Sequence, residues 1–296
     1  MQKIITVIGA TGSGKSDFAV KLAKRFNGEV ISADSRQIYK GLDLSTGKVT
    51  PEEMDGVPHH LLNIVPLGKP YSVYNFKQDA TKAIGGISSR GKLPIICGGT
   101  GLYTRALVEG FSLTERDIDN AVASELEEKT IEELQQIIAT NNIPLVETDI
   151  KNKRRLISAI VKHKHNILEA ENAPEYNALQ ICLVFPREQQ RERIKARLKA
   201  RLDAGMLAEI EEAIKAGADP EFLKTLGLDM RYSVMQLNGE FKNYDEFFET
   251  LFTKECQYAK RQQTWFKKEK NCIYINPLED DAFETACTQI KNFLGK

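Results

Sequence analysis

The 296 residues carry 41 Lys and Arg against 41 Asp and Glu, which is long enough for one large α/β domain or a core with an insertion and excludes a uniformly basic chain. The charges are segregated, however. Glu115 to Glu133 holds eight acidic residues and two basic ones, Lys151 to His165 six Lys or Arg and two His with no acid, and Arg187 to Arg201 seven basic residues against two acids. One such run reads most simply as a solvated helix face; basic runs recurring in a neutral chain point to a polyanionic partner.

In chain order, Lys3 to Ile8 predicts a short buried strand. A Gly-rich turn follows, then the helical spacing of Phe18, Leu22, Ala23 and Phe26. Glu29 to Ser32 and Leu93 to Cys97 predict two further buried strands. Leu113 to Asn177 is charged and helix-forming, the character of a helical insertion. Ile181 to Phe185 restores a strand, and Ile194, Leu198, Leu202, Met206, Ile210 and Ile214 predict one amphipathic helix. Tyr244 to Lys270 predicts another helix and Cys272 to Asn276 a last strand. Strands alternating with helices predict an α/β fold, a P-loop NTPase-like parallel sheet flanked by helices, with residues 1–112 and 179–296 as the core and 113–178 as a small helical insertion domain. Ligands bind such sheets at the carboxyl ends of the strands, so Gly12 to Ser16, Asp34 to Gln37 and Gly98 to Tyr103 are expected to converge.

The five cysteines, Cys97, Cys182, Cys256, Cys272 and Cys287, are odd in number and lack a CxxC pair, the pattern of reduced thiols in a cytoplasmic protein. The histidines, His59, His60, His163 and His165, have no Cys or acid at ligand spacing, which argues against structural zinc. MQKIITVIGA enters a strand without a basic n-region or a long apolar stretch, so neither a signal peptide nor a membrane partner is expected.

Gly9, Ala10, Thr11, Gly12, Ser13, Gly14, Lys15 and Ser16 spell GATGSGKS, which matches GxxxxGK[ST] between a strand and a helix. Backbone amides of such a loop wrap a diphosphate, the lysine neutralises it, and the Ser16 hydroxyl is a candidate ligand for Mg²⁺. The motif does not say what the diphosphate is attached to. Asp34 in ISADSRQIY would by itself read as a turn former. Beside a P-loop strand it suits a base that deprotonates an incoming nucleophile. IICGGTGLY puts Gly98, Gly99 and Thr100 where many P-loop enzymes place a metal-binding acid; the plainer alternative is a simple strand-to-helix turn with Leu102 and Tyr103 packing inward. Together the segments describe a site that grips a diphosphate as a leaving group while a base acts on another substrate.

GATGSGKS, ISADSRQIYKGLDLSTGK, HHLLNIVPLGKPYSVYNF, GGTGLYTRALVEG and YAKRQQTWF occur in the order seen in the tRNA dimethylallyltransferases, or tRNA isopentenyltransferases, and most of the chain resembles that family. The resemblance implies transfer of a dimethylallyl group from dimethylallyl diphosphate to the exocyclic N6 amine of the adenosine 3′ of the anticodon, in tRNAs reading codons that begin with U, with Mg²⁺ as cofactor. It implies Asp34 as general base, Thr100 near the reacting groups, Arg197 on the diphosphate and Gly9 to Ser16 as the diphosphate loop. It implies contact of Asp34, Ser35, Arg36, Gln37 and Thr100 with a flipped base. For the rest of the anticodon stem-loop it implies Arg154, Arg155, Lys260, Arg261 and the segment Thr225 to Met230. Arg193 and Arg201 lie one turn either side of Arg197, and the reading kept for Arg201 is a solvated helix edge. Trp265 reads as core. Ser158, Leu228 and Cys256 depart from the family pattern, where an arginine, an aromatic and an arginine are frequent, and the insertion is short. A monomer is expected. Three alternatives stand beside this reading. An adenylate isopentenyltransferase would lack the basic runs, a P-loop small-molecule kinase would keep an acid after Cys97, and an RNA-binding module with a structural nucleotide site would not need Asp34.

Overall fold

Gln2–Gly9 forms the first strand (β1), and Ile4, Ile5, Val7 and Ile8 are all buried along it. A strand apolar on both faces needs cover on both, which a parallel sheet between helix layers supplies. The computed structural model describes residues 1–110, 125–145, 149–164, 175–269 and 271–295. The chain divides into two compact units, residues 1–110 with 174–296, and residues 111–173.

The larger unit is built on β1, Gly28–Ser32 (β2), His59–His60 (β3), Leu93–Gly98 (β4), Tyr176–Leu183 (β5) and Cys272–Ile275 (β6), all parallel in the order β3-β2-β4-β1-β5-β6. On one face, Ile5 and Val7 pack with Phe18 and Leu22 of Lys15–Phe26 (α1) and with Ala286 and Ile290 of a C-terminal helix, Ala282–Leu294. On the other face, Ile4 meets Phe76, Ala80 and Ile84 of Val73–Ser89 and Tyr103 and Leu107 of Gly101–Val108. With Pro51–Met54 as α2, those two helices are α3 and α4. Ser72 and Asn75 form a capping box at the start of α3, closing two backbone donors that the helix leaves open.

The smaller unit contains Ile131–Thr140 (α5) and Lys153–Lys164 (α6), whose Leu134, Ile138, Leu156, Ile157 and Ile160 form their own buried cluster. Thr130 and Glu133 cap α5. Residues 115–124 of the acidic run, and His165, lie outside the described residues.

Beyond β5 come Arg187–Asp203 (α7), Met206–Lys215 (α8), Pro220–Leu226 (α9), Leu228–Leu237 (α10) and Tyr244–Phe266 (α11); the C-terminal helix is α12. Two sequence expectations are corrected here. The apolar spacing from Ile194 to Ile214 is two helices, because Gly205 adopts φ +102° between them, a conformation glycine takes without steric cost. Strand β5 begins at Tyr176, so residues 176–178 pair with β1 in the core sheet instead of lying in the insertion. Exposed Asn177 and buried but polar Gln180 obscure this first half of the strand in a hydropathy reading, but the ladder depends on backbone groups and accepts them.

Candidate active site

The register of the sheet brings the sequence motifs together. Ile8 is paired with Gly98, Ser32 with Cys97 and Gly9 with Leu183, so the chain leaves β1, β2 and β4 at one edge. The tails of β2 and β4 are then zipped. Ala33 N–H donates to the Cys97 carbonyl at 2.8 Å, and Thr100 N–H to the Ala33 carbonyl at 3.3 Å. A Cβ on Gly98 would fall 2.1 Å from the Ala33 carbonyl oxygen, so glycine there is a requirement of the close approach.

In the P-loop, Gly12 and Gly14 have φ of +76° and +79°, the left-handed conformations that turn successive amides inward. Ser13 N–H donates to the Ala10 carbonyl at 3.2 Å, and the Ser13 side chain is buried beneath the loop, so Ser13 faces away from the anion position. The amides of Gly12, Gly14, Lys15 and Ser16 have no backbone acceptor among the described residues. They open at the N-terminus of α1, where the helix dipole favours an anion. Desolvation lowers the pKa of Lys15; Cys97 and Asp34 act to raise it, and Arg197 lowers it further. Asp34 and Arg197 therefore lie within electrostatic reach of the lysine. Burial pushes the Cys97 thiol up to about 11, making it an unreactive wall of the site.

Helix α7 closes the loop from above. Ile194 Cγ1 and Arg193 Nη2 would lie 3.1 Å and 3.3 Å from Cβ atoms on Gly12 and Gly14, and the Arg193 guanidinium stacks over Phe185 at 4.9 Å. Arg197 is exposed to solvent at this mouth, with desolvation by the surrounding walls and the nearby Arg201 lowering its pKa. Arg201 is not a solvated helix edge. It pairs with Asp229 at 3.0 Å and Glu255 at 2.6 Å and donates to the Leu44 carbonyl at 3.3 Å. Burial opposes its charge, but the two carboxylates outweigh that and raise its pKa. The last turn of α7 is covered by α10 and α11, which helical periodicity alone does not reveal.

On the opposite side, Asp34 Oδ1 accepts the Arg36 N–H at 2.9 Å, and Thr100 Oγ1 accepts the Ser35 N–H at 3.1 Å. The first contact is an Asx-type turn, so the turn-forming and chemical readings of Asp34 coexist. The Gln37 amide donates to the Gly47 carbonyl at 3.1 Å, and Arg36 lies over Gly227 at the start of α10. Tyr103 is buried and stacks on Phe76 at 4.3 Å, whereas Leu102 is 50% exposed, so the simple-turn reading holds for Tyr103 and not for Leu102.

Helix α11 contributes residues that the motif reading left without a role. Gln262 accepts the Thr11 N–H at 2.9 Å and donates to the Gly99 carbonyl at 3.0 Å. Tyr258, one turn earlier, is exposed; burial of part of its surroundings and the charge of Asp34 raise its pKa. Lys260 and Arg261 are exposed on the same helix, with Arg261 5.7 Å above the Tyr258 ring. Leu228 and Cys256 pack against the cluster around Phe247 and Leu251, so these two departures serve packing. In the smaller unit, Arg154 and Arg155 are exposed on α6, Arg155 paired with Asp149 at 2.5 Å, and Ser158 is half-buried.

Among the described residues no group of three or more His, Cys, Asp or Glu could hold a metal ion. The exposed Ser16 hydroxyl beside the anion loop does suit Mg²⁺ that takes most of its oxygen ligands from phosphate and water.

The model of the family described as IPP transferase matches residues 37–269, and that described as isopentenyl transferase matches residues 2–67. The chain belongs to the IPP transferase family. It is 44% identical to a tRNA dimethylallyltransferase 2 of Treponema denticola, with 92% of this chain and 94% of the relative covered. To a tRNA dimethylallyltransferase of Streptococcus sanguinis it is 37% identical, with 99% of each covered. Among solved structures, the full-length tRNA isopentenylpyrophosphate transferase of Bacillus halodurans superposes with a TM-score of 0.74 at 31% identity, covering 100% of this chain and 96% of that one. A eukaryotic dimethylallyltransferase acting on tRNA gives a TM-score of 0.84 at 25% identity, covering 100% and 80%. The IPP transferase match spans α11, so Gln262 and Tyr258 fall inside it.

Proposed function

We propose that this IPP transferase acts on tRNA, moving a dimethylallyl group from dimethylallyl diphosphate to the exocyclic N6 amine of the adenosine 3′ of the anticodon. The observation that carries the reading is the pairing of a diphosphate-cradling loop with Asp34 across a neutral Gly98-Gly99-Thr100 turn, in a chain whose relatives are named for this reaction.

The bond between the allylic carbon and the diphosphate oxygen breaks, and its electron pair leaves with the diphosphate. The bond from N6 to that carbon forms, and the N6 proton passes to Asp34. The amides of Gly12, Gly14, Lys15 and Ser16, the Lys15 ammonium and Arg197 stabilise the charge that grows on the leaving group. Mg²⁺ held by Ser16 would neutralise part of the diphosphate charge. Thr100 and Asp34 to Gln37 face the base, which leaves its stack to reach them. Arg154, Arg155, Lys260 and Arg261 serve phosphates of the anticodon stem-loop, a positioning role that carries no sequence information; the insertion is the second tRNA-binding domain. We place the protein in the cytoplasm, in keeping with its free cysteines, and as a monomer.

The test is label transfer from dimethylallyl diphosphate, with Mg²⁺, to unmodified tRNA and in parallel to AMP. Label on the tRNA adenosine beside the anticodon supports the proposal. Label on AMP alone moves the protein to free nucleotides, and label on neither rejects transferase chemistry with this donor.

A further inference from the structure

The peptide groups on both sides of Thr11 are gripped from outside the P-loop. Gln262 of α11 accepts the Thr11 N–H at 2.9 Å, and Gln190 of α7 donates to the Thr11 carbonyl at 2.7 Å. Gln190 is buried, and its own amide oxygen accepts from Gln263 at 2.6 Å, while Gln263 also donates to the Phe185 carbonyl at 3.2 Å. The other end of Gln262 donates to the Gly99 carbonyl at 3.0 Å. A Cβ on Gly99 would come within 2.9 Å of Gln262 Nε2 and 3.5 Å of Lys15 Nζ, so the amide, the lysine and the Gly99 peptide occupy one tight corner.

We propose that Gln262 is a positioning residue for the transfer reaction, joining the diphosphate loop to the Gly99-Thr100 turn so that leaving group and acceptor base are held in one register. The inference rests on the proposed reaction for its kinetic part. A P-loop glycine lacks a side chain to lock its conformation, and here two side-chain amides from separate helices supply the constraint. The Thr11 amide, already used by Gln262, is not offered to the anion. The loop therefore presents Gly12, Gly14, Lys15 and Ser16 in a fixed fan. On the acceptor side, Thr100 follows Gly99 directly and receives the Ser35 N–H beside Asp34. One side-chain amide thus spans the gap between the group that leaves and the groups that hold the base. Misplacing reacting groups by about 1 Å costs on the order of 10²-fold in rate, which sets the size of effect to look for.

The experiment is Gln262→Met in the full chain, a replacement of similar length that removes both hydrogen bonds. Transfer kinetics from dimethylallyl diphosphate to unmodified tRNA are measured with tRNA affinity, binding of inorganic diphosphate, the thermal midpoint and amide exchange in the P-loop. The expected result is a fall in kcat of about 10- to 100-fold, weaker diphosphate binding and faster exchange at Thr11, with tRNA affinity and the thermal midpoint close to wild type. Loss of tRNA affinity with unchanged kcat and diphosphate binding would overturn the proposal, because Gln262 would then be an RNA contact. Unchanged kinetics and exchange would overturn it equally. If wild type does not transfer the label at all, the reaction assignment fails, while diphosphate binding and Thr11 exchange still decide whether the clasp orders the loop.

Discussion

The Trp265 ring occupies the space that a side chain on Gly101 would need: a Cβ there would fall 2.0 Å from the ring carbon Cζ3. Gly101 opens α4 immediately after Thr100, and Trp265 is held by Phe266 edge-on at 5.3 Å and by the Arg105 guanidinium at 5.6 Å. The tryptophan is thus a packing pillar that sets where Thr100 sits. Gly101→Ala is expected to cost about 1–3 kcal/mol, the usual range for overpacking, and to reduce transfer because Thr100 moves. Adding Trp265→Leu should recover part of the stability and less of the rate. Urea unfolding of the two single variants and the double variant checks the coupling; strictly additive losses would contradict it.

How much of this was legible beforehand varies by element, for physical reasons. The P-loop was readable because GATGSGKS packs its geometry into eight consecutive residues with a strand before and a helix after. Asp34 and Thr100 were readable as neighbours once β2 and β4 were known to be parallel strands of one sheet. Gln262 and Gln190 were not, because each acts through hydrogen bonds to backbone more than 160 positions away in the chain, and a glutamine on a helix has no local signature for that. YAKRQQTWF marked the right helix without saying which atoms it would meet. Helix α3, opened by a Ser72 cap, starts only at the end of HHLLNIVPLGKPYSVYNF and runs on to Ser89, so the loop-like Gly and Pro before it mask its beginning.

The Arg201 cluster yields a stability prediction with an internal contrast. Burial, and the proximity of Asp229, raise the pKa of Glu255 well above the carboxylate range. Arg201 opposes that shift, so the two acids share one arginine charge at close quarters. Glu255→Gln should change stability by no more than about 1 kcal/mol, since relief of the burial cost and of the repulsion from Asp229 offsets the lost pairing with Arg201. Arg201→Met strands the acids in the interior and should cost roughly 3–5 kcal/mol. Denaturant midpoints measured at pH 7 distinguish the two, and equal losses would mean that the Glu255 charge is as necessary to the cluster as the arginine.

At the other end of β2, buried Glu29 pairs with His60 at 2.7 Å, Arg90 at 2.7 Å and Lys92 at 2.8 Å. Burial acts to raise its pKa, yet Lys92, His60 and Arg90 hold the carboxyl at about 2, below its ordinary 4.5. A folded-state pKa below the unfolded value adds stability that is fully present above 4.5 and lost as pH falls through about 2. Because the partner side chains are one-third to one-half exposed, the contribution is discounted to about 1–3 kcal/mol. The stability difference between wild type and Glu29→Gln should be constant at neutral pH and shrink toward zero across that acid window. A difference that does not vary with pH would mean the carboxylate is not the source.

Asp34 carries the most direct consequence for chemistry. Its Oδ1 is engaged by the Arg36 N–H, a bond that an asparagine oxygen can also accept, so Asp34→Asn should keep the turn while removing the proposed base. The expected loss in kcat is about 10²- to 10⁴-fold, with tRNA and dimethylallyl diphosphate binding little changed. Lys15→Ala should behave differently. In the proposed reaction Lys15 meets the diphosphate in ground and transition states alike, so its loss should weaken donor binding as well as rate. Measuring kcat and KM for the donor on both variants separates the two roles. An Asp34→Asn enzyme with full kcat would remove Asp34 as the proton acceptor. Donor affinity unchanged in Lys15→Ala would mean that the amide fan holds the diphosphate without help from the ammonium.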